Sequence, residues 1–581
     1  MTRRGRAGRG FFPKAKVFIL LIVLAIALLS ANCSAVEIKN SMQIQGVKAK
    51  ALITAQGSIS GDLRGVPATI KILSFRDTDF QKIFSINERL EINGKTIGAE
   101  NETDSFGNNI AVFRVNETGN FTYFIEAEIT TNYYRNGLKD YLLDMPITGF
   151  DEFNAPTAFI ESGDPSITTL AENEFDSKSE LETIRKTAEF VHNYLEYDIS
   201  FVGKEQSAVE ALHSKKGVCG HFSELAAAIL RAKKIPTRLV MGTVFSGADW
   251  NNHAWAEAFV PSSGWVQLDP TYGEAGLVDG THIAMSIFPD TNNAIDSISA
   301  PTSAKISLEQ KTISVAVQDA KEFSGIVEIS APDIEGPAQR WFDLNFSIKN
   351  LSENYSLVPV SLSLPKEILA SEKNRILLLK PGEEKTAGSR AFADIALEQN
   401  QFLQGEYTIS SFAPEITRQL KITQMPAEHM PAKIGVKKIA PIITGKNLAI
   451  EITLENTGNS EGDVNFEIAG NGIGLRQKET IGGLEEKKFA VTIGNYSAGI
   501  YTVKITAPGL DFEKRLTVKG AELPAAGTVP ENRGENPENT EVSGRAGELQ
   551  METIIIAGGI RAAACAAVLV SMRFLRQKNT G

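Results

Sequence analysis

Cys219, His253 and Asp269 stand in the order that a thiol enzyme uses. The reactive form of a cysteine is the thiolate, which needs a neighbouring cation, a helix N-terminus or both. Cys219 follows Gly217 at the expected start of a helix, where unpaired backbone N–H groups and the helix dipole favour the anion. The basic Arg231, Lys233 and Lys234 lie at the opposite end of that helix. His253 has the chemistry of a general base and then of an imidazolium partner to the thiolate. Asp269 has that of the carboxylate holding the ring's tautomer and orientation. Singly, each has a plain explanation: a small core residue, a structural strand histidine, and a turn initiator before Pro270. The case rests on the three together. An acyl intermediate also needs oxyanion donors, and the Cys219 backbone N–H is one. Tyr197 and Gln206 are candidates for the second. His221 lies two residues from Cys219, but no further His/Cys pair stands at ligand spacing, so no metal is expected. No phosphate-cradling glycine loop is present either, and no cofactor is expected.

These side chains need particular elements to position them. Ser177 with Glu180 predicts a capped helix start, followed by Leu181, Ile184, Ala188, Val191 and Leu195 at helical spacing. Ser207 with Glu210 predicts a second capped helix, and Phe222, Leu225, Ala226, Ile229 and Leu230 form the stripe of a third, ended by Pro236. Two strands, 253–260 and 265–269, follow. Side-chain parity decides whether they can build a site. If Val260 paired with Trp265, His253 and Asp269 would fall on opposite faces; a Pro261–Ser263 loop with Gly264 as a left-handed bulge residue puts them on one face. The bulged register is therefore predicted. Trp250, Trp255 and Trp265 crowd this hairpin, and core packing is their expected role.

Three blocks carry a family resemblance: Gly217 to Leu225 (GVCGHFSEL), Asn252 to Glu257 (NHAWAE) and Gly264 to Thr271 (GWVQLDPT). In this order they resemble the transglutaminase-like superfamily core. The resemblance covers about residues 160–290. It implies a papain-like α+β fold with Cys219 as nucleophile, His253 as base and Asp269 as orienting acid. The segment around His282 looks like the core's continuation, with His282 in a structural role. The implied chemistry is attack on an acyl or amide carbonyl of a protein or peptide, through a thioester. Hydrolysis is the preferred outcome; cross-linking acyl transfer and a non-catalytic surface adhesion or scaffold protein are the alternatives.

The 581 residues, 42% hydrophobic and 22% charged, predict several globular units. Residues 1–35 read as a signal peptide and 36–158 as an all-β domain. Residues 159–300 make the α+β core. Residues 301–427 and 428–518 read as two tandem β-sandwiches of immunoglobulin-like type, because Leu344 to Leu362 repeats as Ile450 to Ile468 with Asn350 matching Asn456. A disordered stalk is expected over 519–552, a transmembrane anchor over 553–573 and a cytoplasmic tail over 574–581. The bulk of the chain would then be extracellular, on a single-pass anchor in the cell membrane. The net charge of -11 and the lack of a basic cluster in 36–550 argue against a nucleic-acid partner. With Cys33 at the leader and Cys565 in the anchor, Cys219 is left as the one thiol of the outer part.

Overall fold

The computed structural model describes residues 36–520, except 37, 134–136, 141–146, 292–295, 399–400, 413–414 and 425–429. The expected leader, anchor and tail, and nearly all of the stalk, lie outside the described residues. Among the described residues, no helix is long and apolar enough to cross a membrane. The chain is mostly β, with its helices gathered around one antiparallel sheet.

The first β unit is a sandwich. One sheet runs Ala304–Leu308, Ile44–Gly61, Gly119–Thr131, Gln81–Ile92 and Lys95–Gly98, with Thr312–Glu322 also paired to Ile44–Gly61. The facing sheet runs Ser297–Ser299, Ala68–Leu73, Asn109–Val115 and Glu100–Thr103. Along Gly119–Thr131, Phe121, Tyr123, Ile125, Ala127 and Ile129 point inward at period two, as half-buried strands require. This sandwich is not closed at residue 158. Residues 301–322, expected in the first sandwich after the core, pair instead with Ile44–Gly61, from Ile44 opposite Glu322 to Gly57 opposite Leu308. The core is thus inserted between strands of one sandwich.

In the inserted unit, helices Pro165–Glu174, Glu180–Tyr194, Ala208–Ser214 and Cys219–Ala232 pack on a sheet ordered Glu274–Gly276, Gly264–Asp269, Trp250–Val260, Thr237–Phe245, Ile283–Phe288. Leu225, Ala226, Ile229 and Leu230 are fully buried along one stripe of the last helix. The Ser207–Glu210 capping box is present. The helix expected to be capped by Ser177 begins instead after Ser179, whose hydroxyl accepts from the Glu182 N–H at 3.0 Å. The reason is Asp140: its carboxylate accepts from the Ser179 hydroxyl at 2.7 Å and from the Leu181 N–H at 3.1 Å, fixing the start two residues on.

Two further sandwiches follow, and their repeat is visible atom by atom. The buried Asn350 amide donates to Asn354 O (2.7 Å) and Lys380 O (2.9 Å), and the buried Asn456 amide to Ser460 O (2.7 Å) and Gly482 O (2.9 Å). Each oxygen accepts a backbone N–H two residues on, from Ser352 and Gly458, at 3.0 Å. Both sandwiches rest on the helices of the inserted core. Leu357, Ile376 and Ile442 join its hydrophobic cluster, Arg185 donates to Ile376 O at 2.9 Å, and Asn173 exchanges hydrogen bonds with the Thr517 backbone.

Candidate active site

Gly264 has φ +75° and Val260 stands opposite it, so the hairpin has the three-residue loop and bulged register. His253 and Asp269 consequently share a face. His253 Nε2 donates to Asp269 Oδ2 at 2.6 Å. The Cys219 thiol lies beside the same ring, close enough that each group shifts the titration of the other. The structure therefore brings together all three residues predicted from sequence.

Cys219 is the first residue of its helix. Its setting is built locally: the His221 ring accepts from the Val218 N–H at Nδ1 (3.0 Å) and donates from Nε2 to Lys204 O (3.2 Å). A side chain at Gly217 would collide with that ring, its Cβ falling 2.7 Å from His221 Cβ. His221 thus acts as a helix cap. The helix is tied to the strand of His253 by Ser223, whose hydroxyl donates to Ala254 O at 3.1 Å. Arg231, at the far end, is fully buried and donates to the carbonyls of Ala155, Thr237 and Pro289.

Electrostatics follow from this geometry. Burial pushes the half-buried Cys219 thiol up, but the hydrogen bond and charge of His253, with a hydrogen bond to the Ala254 backbone, outweigh it and leave the thiol below its ordinary range. Burial alone would push the His253 imidazolium down; the Asp269 carboxylate and then Cys219 lift it to about 9. Burial likewise opposes the Asp269 charge, and His253 and His282 hold that carboxyl far below the usual range. The Asp269 carboxylate is saturated with donors. Its Oδ1 accepts the backbone N–H groups of Thr271 (2.8 Å) and Tyr272 (3.3 Å), and its Oδ2 also faces His282 Nε2 at 3.1 Å.

Three neighbours were not assigned to the site from sequence. His282 touches the carboxylate itself, and His192 holds the turn after Asp269, its Nδ1 lying 3.2 Å from Pro270 O and from Thr271 O. The Tyr272 ring lies 5.2 Å from that of His253. The nearness of His192 arises from long-range packing and leaves no local signal; Tyr272 follows Asp269 by three residues, and His282 stood in a recognisable segment. The two oxyanion candidates separate. Gln206 donates to Ser214 Oγ (3.1 Å) and Lys216 O (2.9 Å), bracing the segment before Cys219 instead of facing an acyl oxygen. Tyr197 lies on a short strand opposite Gly217, exposed two residues from Cys219 across that pairing. The tryptophans pack: Trp255 is buried 6.2 Å from the His253 ring and donates to Gln267 Oε1 at 2.8 Å, and Trp265 lies under the Arg238 guanidinium. His253, Asp269 and His282, and likewise Glu274, Asp279 and His282, are grouped closely enough to share an ion. In both groups these side chains are already engaged in hydrogen bonds within the protein.

Residues 169–270, which take in Cys219, His253 and Asp269, match the family model of the transglutaminase-like superfamily. The chain contains a transglutaminase-like domain. It is 28% identical over 133 residues to an uncharacterised protein of Mycobacterium leprae (22% of this chain, 47% of that one). It is 35% identical over 71 residues to a protein-glutamine gamma-glutamyltransferase of Pseudomonas aeruginosa (10% of each). The chain spans less than half the length of these curated relatives. Among solved structures, it is similar to a candidate cysteine protease from Cytophaga hutchinsonii (21% identity, 48% of this chain and 93% of that one, TM-score 0.38). Another is red sea bream transglutaminase (11% identity, 78% and 95%, TM-score 0.16).

Proposed function

We propose that this protein is a cysteine enzyme that cleaves acyl or amide bonds of proteins or peptides. Cys219 attacks the carbonyl as the thiolate of a Cys219–His253 pair. The tetrahedral oxyanion is met by the Cys219 N–H, with Tyr197 as the second donor. His253, held by Asp269, protonates the leaving amine, and water then releases the acyl group from the thioester. The observation that carries this reading is the His253 ring, bound to Asp269 at 2.6 Å and placed beside the thiol of a cysteine that opens a helix. The enzyme would act outside the cell, on a C-terminal anchor, with its two later sandwiches as immunoglobulin-like spacers; the leader and anchor patterns in the sequence support this placement.

A second reading, transfer of the acyl group to an amine, is favoured by the resemblance to the Pseudomonas aeruginosa glutamyltransferase. One experiment separates the two. The full chain is incubated with a peptide library and, in parallel, with a fluorescent amine, with Cys219→Ala as control. Cleavage lost in the variant supports hydrolysis, and amine incorporation lost in the variant supports transfer. Neither activity, together with slow alkylation of Cys219 like that of an ordinary thiol, sinks the enzyme reading.

A further inference from the structure

The triad carboxylate has a second histidine. His282 is fully buried at the entrance to the Ile283–Phe288 strand. Its Nε2 lies 3.1 Å from Asp269 Oδ2, the same oxygen that His253 uses, and its Nδ1 lies 3.0 Å from the Asp279 carbonyl oxygen. Both partners are acceptors only: a carbonyl cannot donate, and Asp269 is an ionised carboxylate already holding three other donors. A neutral ring has one N–H and would leave one of these contacts as two facing lone pairs. Both contacts are satisfied only when both nitrogens carry protons. We propose that His282 is a permanent buried imidazolium that positions Asp269 and shares its charge with His253.

The surroundings fit a cation. The Asp279 carboxylate lies 3.6 Å from His282 Nδ1 and is itself fixed by the Thr281 N–H (2.7 Å) and hydroxyl (2.5 Å). Glu274 is buried next to Asp279, and burial with that neighbouring charge pushes its carboxyl well above the usual range. The remaining faces are rings: Trp255 at 5.0 Å, His253 at 5.6 Å, Tyr133 at 6.1 Å and Tyr272 at 6.3 Å. His282 is lifted well above its ordinary range: burial opposes the charge, and Asp279 and Asp269 outweigh it. Tyr133 comes from the first sandwich, which also supplies the Ile44 carbonyl to the Gly280 N–H (2.6 Å) and the Thr131 hydroxyl to the Gly280 carbonyl (2.5 Å). That sandwich seals the loop carrying His282 against water.

The inference deepens the cysteine-enzyme reading and rests on it, because a second cation near the triad favours the thiolate. Two measurements test it. In the full chain with 15N-labelled histidine, the His253→Ala variant should retain one ring with both nitrogens protonated at about pH 8, where an unperturbed histidine is neutral. Absence of such a ring overturns the proposal, whatever the protein's activity. In His282→Gln, which keeps an N–H donor and loses the charge, alkylation of Cys219 by iodoacetamide is followed against pH by mass spectrometry. At a ring separation of 5.6 Å, the lost cation should raise His253 by about two pH units, and the acid limb at the more distant thiol by about one. A folded variant with an unmoved limb also overturns it. A wild-type thiol that alkylates in the ordinary range refutes the proposed function instead, and the NMR result still decides on His282.

Discussion

Replacing His253 by alanine isolates what the ring does for the thiol. The structure sets four influences on Cys219: burial and the Asp269 charge against the thiolate, and His253 and the Ala254 backbone for it. Without the ring, burial and Asp269 are opposed by the backbone, the helix N-terminus and the more distant His282, and the thiol should titrate near or above about 8.5, the ordinary value. At about pH 6 its thiolate fraction would then be about 1 in 300, below that of the wild type, whose thiol lies beneath the ordinary range. The more basic thiolate is intrinsically more nucleophilic, with a Brønsted slope of about 0.4–0.5, so about half of the logarithmic loss in thiolate is returned. The net expectation is slower alkylation at pH 6 and an inflection moved up to about 8.5 or above. The assay is iodoacetamide labelling of the full chain from about pH 5 to 9, quantified on the Cys219 peptide, with circular dichroism confirming the fold. An inflection at the same pH in both proteins would refute the ion pair and, with it, the mechanism.

Three other outcomes are expected. Glu224 is buried on the nucleophile helix and pushed up to about 8 by that burial. A raised carboxyl contributes its stability below its unfolded pKa of about 4.3 and loses it as pH rises through about 8, so Glu224→Gln should be more stable than wild type by about 3 kcal/mol near pH 7. Urea midpoints across pH check this, and equal midpoints would contradict it. Gly264→Val places a β-branched residue at φ +75° and should cost about 1–2 kcal/mol. It should also return the Cys219 alkylation inflection towards the ordinary range, since a register slip parts Asp269 from His253. Asn350→Ala and Asn456→Ala each strip buried carbonyls of their donor and should each cost about 2–4 kcal/mol in denaturant melts. A loss confined to one of them would end the equivalence of the two repeats.

The chemistry was more legible in the sequence than the architecture, for a physical reason. The proposed nucleophile, base and acid are marked by local context, and the face that His253 and Asp269 share follows from the parity of one hairpin whose glycine sits where a left-handed residue is needed. The Ser207–Glu210 cap is equally local. Ser179 displaced Ser177 as a cap because Asp140, far away in sequence, reaches it. The pairing of Ile44–Gly61 with Thr312–Glu322 has no local signature at all, since any exposed edge strand is a possible partner. His282 lay in a segment that stood out, yet its contact with Asp269 depends on a loop held by the first sandwich.

That insertion imposes an order of assembly. One edge of the strand Ile44–Gly61 pairs with Gly119–Thr131, but its other edge has no partner until residues 304–322 have been synthesised. Closing so long a loop without help costs conformational entropy, and contacts of high sequence separation form slowly. The core, once folded, holds the segments on either side of it near one another and so shortens that span. A chain cut after the core would keep Cys219, His253 and Asp269 and still present a long unpaired edge, open to other chains. The first sandwich is therefore completed only at about residue 322, well beyond Asp269.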